Sequence, residues 1–412
     1  MANVKREKGF KVAMGIAESI MRFSGIWPGV EKPKINYTRF TFIPVMLMIL
    51  VFVNIPQTIQ LFYFDGNLSA ILNVLTMADV PISIALVKFL VTSYNHQTLN
   101  KLLVLLNDDW KHVRDASDIE IMWQKAKTSR KVSKICMVLS AGTVFAYSGR
   151  MLYVLYISTL TNSEDNVDKQ IVRPLYFSAK FFYDTQKTPN FEITWILQMI
   201  AAFLSALAFG SIDCLFISFI LHLCGQLVIL QRAFEKIGSD DVLTDANFDY
   251  TIAKLIKKHN RINESVHYIE TSFNKSILFQ ALSSSILFCF QGYLFIIILS
   301  TAKDTEALIE VTFMLYFTTC FMFSVFIYCY VAEFLVDESL KLNYSIFYCK
   351  WYNLPVKKSR LLIMCLLRVR KPLQVSAGKY VFLSLNLFCH IVRTSAGYIS
   401  VLLAVREKLF IQ

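Results

Sequence analysis

Asn386, His390, Thr394, Gly397, Val401 and Val405 recur near the C-terminus at intervals of three or four, so they share one face of a helix. Hydrocarbon offers no hydrogen-bond partner to the amide, imidazole and hydroxyl on that face, so a lipid-facing helix would be penalised for each. Nothing on the stripe pairs a nucleophile with a base, so its chemistry concerns water or a neighbouring helix rather than bond making. Two readings are open. The small and polar groups either pack against another helix, or they line a water-filled path that the apolar side chains of Val401 and Val405 close by dewetting, with Ala404 beside them on the same turn. One helix cannot enclose a path, so the second reading requires several subunits around an axis.

A second set of residues points to apolar recognition. Val74, Met77 and Ala78, then Tyr147, Ser148, Met151 and Leu155, then Ile196, Met199 and Phe203, then Phe313, Tyr316 and Phe317 fall in four separate apolar runs. Aromatic and thioether side chains with an occasional hydroxyl suit a small volatile or hydrophobic ligand, whose affinity must come from burial. Taken singly, each of these side chains is equally suited to plain packing; only convergence of the four runs would make a pocket. The ionisable residues inside the apolar runs (Asp79, Lys88, Arg150, Asp213, Glu310 and Glu333) are scattered one or two to a run, as ion pairs or snorkelling ends would be. There is no HExxH, GxSxG or P-loop, so an enzyme is not expected. The nine cysteines show no metal-ligand spacing and lie outside the long external loop, so neither zinc, another cofactor nor a disulfide framework is expected.

The elements that carry these residues are membrane spans. Hydrophobic residues make up 55% of the 412 and charged ones 17%, against about 25% charged in a soluble domain. Seven apolar runs of bilayer length fall at about 40–64, 69–94, 133–160, 193–224, 276–301, 307–334 and 377–405. With the N-terminus inside, the inner segments hold 8, 7, 7 and 9 Lys and Arg, the last counted over 335–379, and the outer ones 0, 4, 1 and 2. The charge bias therefore predicts an all-α, polytopic membrane protein with a cytoplasmic N-terminus and an extracellular C-terminus. Topology accounts for the net charge of +12, so membrane lipid and not nucleic acid is the expected surroundings. The charged start has the look of no cleaved signal peptide. Residues 10–27 read as an interfacial amphipathic helix stopped by Pro28. Ile252, Leu255, Ile262, Val266, Ile269, Phe273 and Ile277 predict a long helix projecting inward from the fifth span. The chain divides into 1–39, a cytoplasmic segment with the interfacial helix; 40–334, six spans with the pocket and helical extensions; 335–376, a cytoplasmic segment; and 377–412, the last helix with a short tail.

"FSGIWP" (Phe23 to Pro28), "LIKKHNRINESVHYIETSFNKSILFQ" (Leu255 to Gln280) and "WYNLP…RLLIMCLLRVRKPLQVSAGKYVFLSLNLF", in this order, spacing and topology, resemble the insect odorant receptors. The resemblance implies a tetrameric, odorant-gated, non-selective cation channel at the plasma membrane of olfactory neuron dendrites. It further implies one pore lined by the final helices, where Thr394 and Gly397 would line the path and Val401, Ala404 and Val405 its narrow end, and a cytoplasmic anchor that includes a helix near Val356 to Lys371. The loop between spans four and five is shorter than the family's co-receptor carries, which implies a ligand-tuning subunit that assembles with co-receptor subunits. A seven-span metabotropic chemoreceptor, with the opposite orientation, is the alternative, and a transporter a more distant one.

Overall fold

The computed structural model describes residues 2–29, 37–64, 68–164, 173–238, 245–301 and 305–411. Among these are seven helices long and apolar enough to cross a membrane, within the stretches Phe40–Leu61, Leu68–Tyr94, Ala116–Leu160, Asn190–Glu235, Phe248–Ser300, Ala307–Asn353 and Leu385–Ala404. In chain order the helices are α1 (Ala2–Phe23), α2 (Tyr37–Ile49), α3 (Ile55–Leu61), α4 (Leu68–Val74), α5 (Val80–Tyr94), α6 (His96–His112), α7 (Ala116–Glu164), α8 (Asn190–Glu235), α9 (Asp245–Thr301), α10 (Thr305–Tyr348), α11 (Val356–Val369) and α12 (Leu385–Ile411).

Helix α8 is the axis of the bundle. From Gly210 to Leu227 every residue is buried, the pattern of a helix surrounded by others. Helices α1, α5, α7, α9 and α10 pack around it. The N-terminal helix departs from the expectation of an interfacial position. Its apolar face (Met14, Ala17, Met21) is buried against α7 and α8, and the Ala13 carbonyl accepts from Ser218 of α8 at 3.0 Å. Protein, not lipid, takes up its amphipathic stripe. Helix α6 packs on α1 and α9 through Leu99, Leu102, Leu103, Leu106 and Trp110. At the start of α7 the Ser117 amide donates to the Asp115 carboxylate at 2.9 Å, which holds that carboxyl below the usual carboxylate range.

The first two spans are broken. Pro56 lacks an N–H to donate to the Phe52 carbonyl four residues earlier. The chain there makes a π-helical turn over Leu50–Asn54, and a second one over Leu75–Asp79 comes just before Pro81. The last span begins at Leu385, eight residues later than hydropathy predicts. Residues 376–382 instead form a small antiparallel hairpin, Ser376–Ala377 (β1) with Val381–Phe382 (β2). Its turn places Gly378 and Lys379 at φ 61° and 67°. A Cβ at Gly378 would also overlap Leu278 of α9, so glycine is needed there twice over. The start of α12 is fixed by two acceptors: Ser384 Oγ takes the Leu387 N–H at 3.2 Å, and Glu333 of α10 takes the Leu385 N–H at 3.1 Å. As the periodicity predicts, α9 is one long helix with Ile252, Leu255, Ile262, Val266, Ile269, Phe273 and Ile277 buried.

The docking of α1 can be tested with two glycines. A Cβ at Gly9 would overlap the Trp110 ring, whereas one at Gly149 meets nothing within 4 Å. Gly9→Ala should lower the thermal midpoint of the purified protein, with overpacking of about 1–3 kcal/mol outweighing the gain in helix propensity. Gly149→Ala, with the same helical gain and no clash, should leave it unchanged or raise it.

Candidate functional site

A cavity of about 120 Å³ lies inside the bundle between α5, α7, α8 and α10. Its walls are mostly apolar: Met77, Ile82, Ala85, Val144, Phe209, Phe313, Phe317 and Phe321, with the hydroxyls of Ser140, Thr143, Ser205 and Ser324. Toward the other end of these helices lies a larger and more polar space of about 670 Å³, bordered by Gln57, Asn73, Arg150, Arg173 and residues 174–181 and 183–186. Met77, Tyr147, Tyr176 and Phe177 border both, so these four form the partition between this larger space, a vestibule, and the inner cavity.

Helix breaks and a loop build that partition. The segment after α7, expected to be an external loop, turns back so that Tyr176 is fully buried in the bundle. Gln198 of α8 holds it in place: its Oε1 accepts the Phe177 N–H at 3.0 Å, and its Nε2 donates to the Phe177 carbonyl at 3.3 Å. The same Nε2 donates to the Phe52 carbonyl, the one that Pro56 leaves without its usual partner, at 3.4 Å. The Lys180 amide donates to the Pro56 carbonyl at 3.0 Å. Tyr147 donates to the Tyr176 carbonyl at 3.0 Å, and the hydroxyls of Tyr176 and Ser148 are 2.9 Å apart. Edge-on ring contacts of Tyr176 with Trp195 and Tyr147, centroids 5.2 and 5.1 Å apart, complete the packing.

The floor of the inner cavity is charged. The Lys88 ammonium of α5 is 2.5 Å from Asp213 of α8, and both side chains are almost wholly buried, at 1% and 4% exposure. The carboxylate also accepts from Ser324 Oγ at 2.9 Å and from the Tyr328 hydroxyl at 2.7 Å, both on α10. Lys88 Nζ lies 3.6 Å from the centroid of the Phe209 ring, and Gln280 of α9 donates to Ser324 at 3.1 Å. Nearer the vestibule, Arg150 pairs with Glu310 at 3.1 Å. Thus Lys88, Asp213, Arg150 and Glu310, scattered in the sequence, meet as two pairs. Among the described residues no group of three His, Cys, Asp or Glu could hold a metal ion.

Of the residues singled out from the sequence, Met77, Tyr147, Phe313 and Phe317 line the inner cavity, and Val74, Met77, Ala78, Tyr147 and Met151 line the vestibule. Ser148 borders neither but holds Tyr176. Leu155 and Tyr316 are half-buried and border neither; the Tyr316 hydroxyl sits against Gly142 of α7. On α8 the structure corrects the face. Ile196 and Phe203 are exposed and Met199 is half-buried, because the cavity takes the opposite, small-residue side of that helix. That side is Ala202, Ser205, Ala206, Phe209, Gly210 and Asp213, spaced by three, one, three, one and three, a helical period legible in the sequence had small side chains been weighed with the aromatics. Tyr176 and Phe177 carried no such signal, being in a segment without periodicity.

Helix α12 has two unlike faces. Ile391 and Ser395 are buried against the bundle, and Ser395 Oγ donates to the Ser285 carbonyl of α9 at 3.1 Å. Asn386, His390 and Gly397 are exposed on the other side, Val401 is 58% exposed, and Ala404 is exposed. A Cβ at Gly397 would meet nothing within 4 Å. Thr394 is half-buried and satisfies its hydroxyl on the His390 carbonyl at 2.7 Å. The side chain of Val405 lies outside the described residues. Among the described residues, the exposed part of the stripe (Asn386, His390, Gly397 and Val401) is therefore not packed against a helix of the same chain.

The sequence pattern of the 7tm Odorant receptor family matches residues 67–396, most of the chain. The chain belongs to the insect odorant receptor family. This receptor is 24% identical to Odorant receptor 13a of Drosophila melanogaster over 250 residues, 57% of this chain and 58% of that one. With Odorant receptor 22c of the same fly the identity is 23% over 221 residues, so the receptor spans little more than half the length of either relative, 58% and 53%. Odorant receptor Or1 of Anopheles gambiae is 21% identical over 414 residues, 94% of each chain. Among solved structures, that of the olfactory receptor OR5 from Machilis hrabei in complex with eugenol superposes on this receptor with a TM-score of 0.75 at 17% identity, covering 97% of this chain and 100% of that one. A second structure of OR5 gives 0.72. At this identity the likeness is one of fold.

The buried Lys88–Asp213 pair is tolerated only while both charges are present. Lys88→Met or Asp213→Leu alone should destabilise the receptor by about 3–5 kcal/mol, by leaving one buried charge unpaired. The double variant should recover most of that loss. Thermal midpoints of the three variants in detergent check it.

Proposed function

We propose that this receptor is the ligand-tuning subunit of a heteromeric, odorant-gated, non-selective cation channel, assembled with co-receptor subunits. The observation that carries the reading is the exposed stripe on α12: Asn386, His390, Gly397 and Val401 face away from their own bundle, with open space beside Gly397. Polar groups at membrane depth need water or protein, so the stripe calls for other subunits around a shared wet path. Val401 and Ala404, with Val405 beyond the described side chains, make its narrow apolar end. Exposed Ile363, Met364 and Leu367 on α11 offer a second apolar surface for subunit contact.

The inner cavity is the seat of a small, volatile or hydrophobic ligand. The eugenol bound by the Machilis receptor of the same fold supports a ligand of that size and polarity. Ligand bound there acts on α8 and α10, and α10 also holds the start of α12 through Glu333. Binding opens the path only by favouring the open packing over the closed one. The charge bias of the segments supports a cytoplasmic N-terminus and an extracellular C-terminus. The receptor then belongs in the plasma membrane of olfactory neuron dendrites.

Whole-cell current from the receptor co-expressed with a co-receptor tests the reading. Ser205→Phe, which fills the inner cavity, should shift the ligand dose-response by about tenfold or more, within the 1–3 kcal/mol typical of pocket shape changes. Ile196→Ala, on the outward side of the same helix, should shift it little. Val401→Ser should ease wetting and raise current without ligand. Normal surface expression with no change in any of these currents would remove the channel reading.

A further inference from the structure

A third space, about 250 Å³, lies on the other side of α10, enclosed by α9, α10 and α12. It is separate from the inner cavity and the vestibule, with no lining residue in common. Its wall is nearly all apolar, with Phe295, Met314, Met322 and Ile399 prominent. The polar exceptions are Gln291, Thr318 and Ser395. Ser395 is satisfied by backbone carbonyls of Ser285 and Ile391. The Thr318 hydroxyl donates to Gln291 Oε1. That leaves Gln291 Nε2, on a side chain only 2% exposed, with no hydrogen-bond partner among the described residues.

A buried amide N–H without an acceptor is costly, and native structures seldom leave one. The remedy must be an acceptor that enters an apolar space. A cavity of this size exceeds the ~150 Å³ that accommodates benzene and stays dry when wholly apolar. We infer that this space between α9, α10 and α12 is a second ligand site, taking a small uncharged, membrane-soluble molecule whose apolar body fills it and whose single carbonyl or ester oxygen accepts from Gln291 Nε2. Leu315 and Ala396 at its margin are exposed, so such a molecule enters sideways between α10 and α12 rather than through the vestibule. The site lies directly behind α12: Ile399 reaches over Gly292, where a Cβ would overlap it. An occupant wedges between α12 and the bundle without touching the inner cavity.

The test is photolabelling of the full-length receptor, co-expressed with its channel partner, in cell membranes. The probe is a diazirine-bearing aliphatic ketone, and labelled peptides of this chain are mapped by mass spectrometry. Label is expected on α9 and α12 around residues 288–295 and 392–399, apart from any on α7 and α8 that reports the inner cavity. A plain ketone should compete for it about fivefold to tenfold better than the alkane of equal length, the discrimination one hydrogen bond provides. Gln291→Leu, which keeps the apolar volume, should abolish that preference, and Ala396→Phe should exclude the probe. The ketone and alkane competing equally in the unaltered receptor, or no label on α9 and α12, overturns the assignment even if the variants fold poorly. An effect of the ketone on current rests on the proposed pore role of α12; the labelling does not, so the two can fail separately.

Discussion

The carboxylate of Asp213 is the point on which the bundle depends. It lies on α8, the helix that every other core helix touches, and it is bound by Lys88 from α5 and by Ser324 and Tyr328 from α10. Gln280 extends the network to α9. A charge at this depth cannot be left to hydrocarbon, so the four helices must approach closely enough to satisfy it. The pair need not add net stability over an apolar substitute. Its effect is on register: only one rotation and depth of each helix brings ammonium, hydroxyls and carboxylate together. The inner cavity is what remains just beyond that meeting point, where Ala202, Ser205 and Ala206 are too small to fill the space between α7 and α10.

The same demand for satisfied backbone groups shapes the other end of the cavity. Pro56 frees the Phe52 carbonyl, Gln198 takes it up, and the two remaining contacts of that amide clamp Phe177. A helix break in the first span thus fixes the loop that divides vestibule from cavity. The partition is aromatic, with the Tyr147 and Tyr176 rings edge-on and the Tyr147 hydroxyl donating to the Tyr176 carbonyl.

Most of the helical architecture was legible in the sequence, because a span of about 20 apolar residues is a strong signal. Hydropathy misplaced the start of the last span. It counts Val381, Phe382 and Leu383 as apolar but is blind to the Gly378–Lys379 turn, where two positive φ angles demand a hairpin. The docking of α1 was missed for a related reason: an amphipathic stripe of Met14, Ala17 and Met21 looks the same whether lipid or α8 covers it. Within the cavity, the π-helical turn before α5 contributed Met77 and α10 contributed Phe313 and Phe317, the side chains that aromatic and sulfur content suggested. On α8 a search for large groups selected Ile196 and Phe203, which point outward, since space in a helix bundle is made by small residues. The ion pairs were invisible singly, as Lys88 and Asp213 are 125 positions apart.

The central claim is that α12 shows one face to its own bundle and the other to water shared with neighbouring subunits. Substituted-cysteine accessibility along this helix tests it most directly, in a Cys389→Ser background because Cys389 is itself exposed. With the assembled channel and a membrane-impermeant, water-soluble thiol reagent, cysteines replacing His390, Thr394, Gly397 and Val401 should modify the current, those nearest Val401 faster when ligand is present. Cysteines replacing Ile391 and Ser395 should not react. Equal reactivity on both faces, or none on the stripe with ligand present, would contradict the account and place the ion path along another helix.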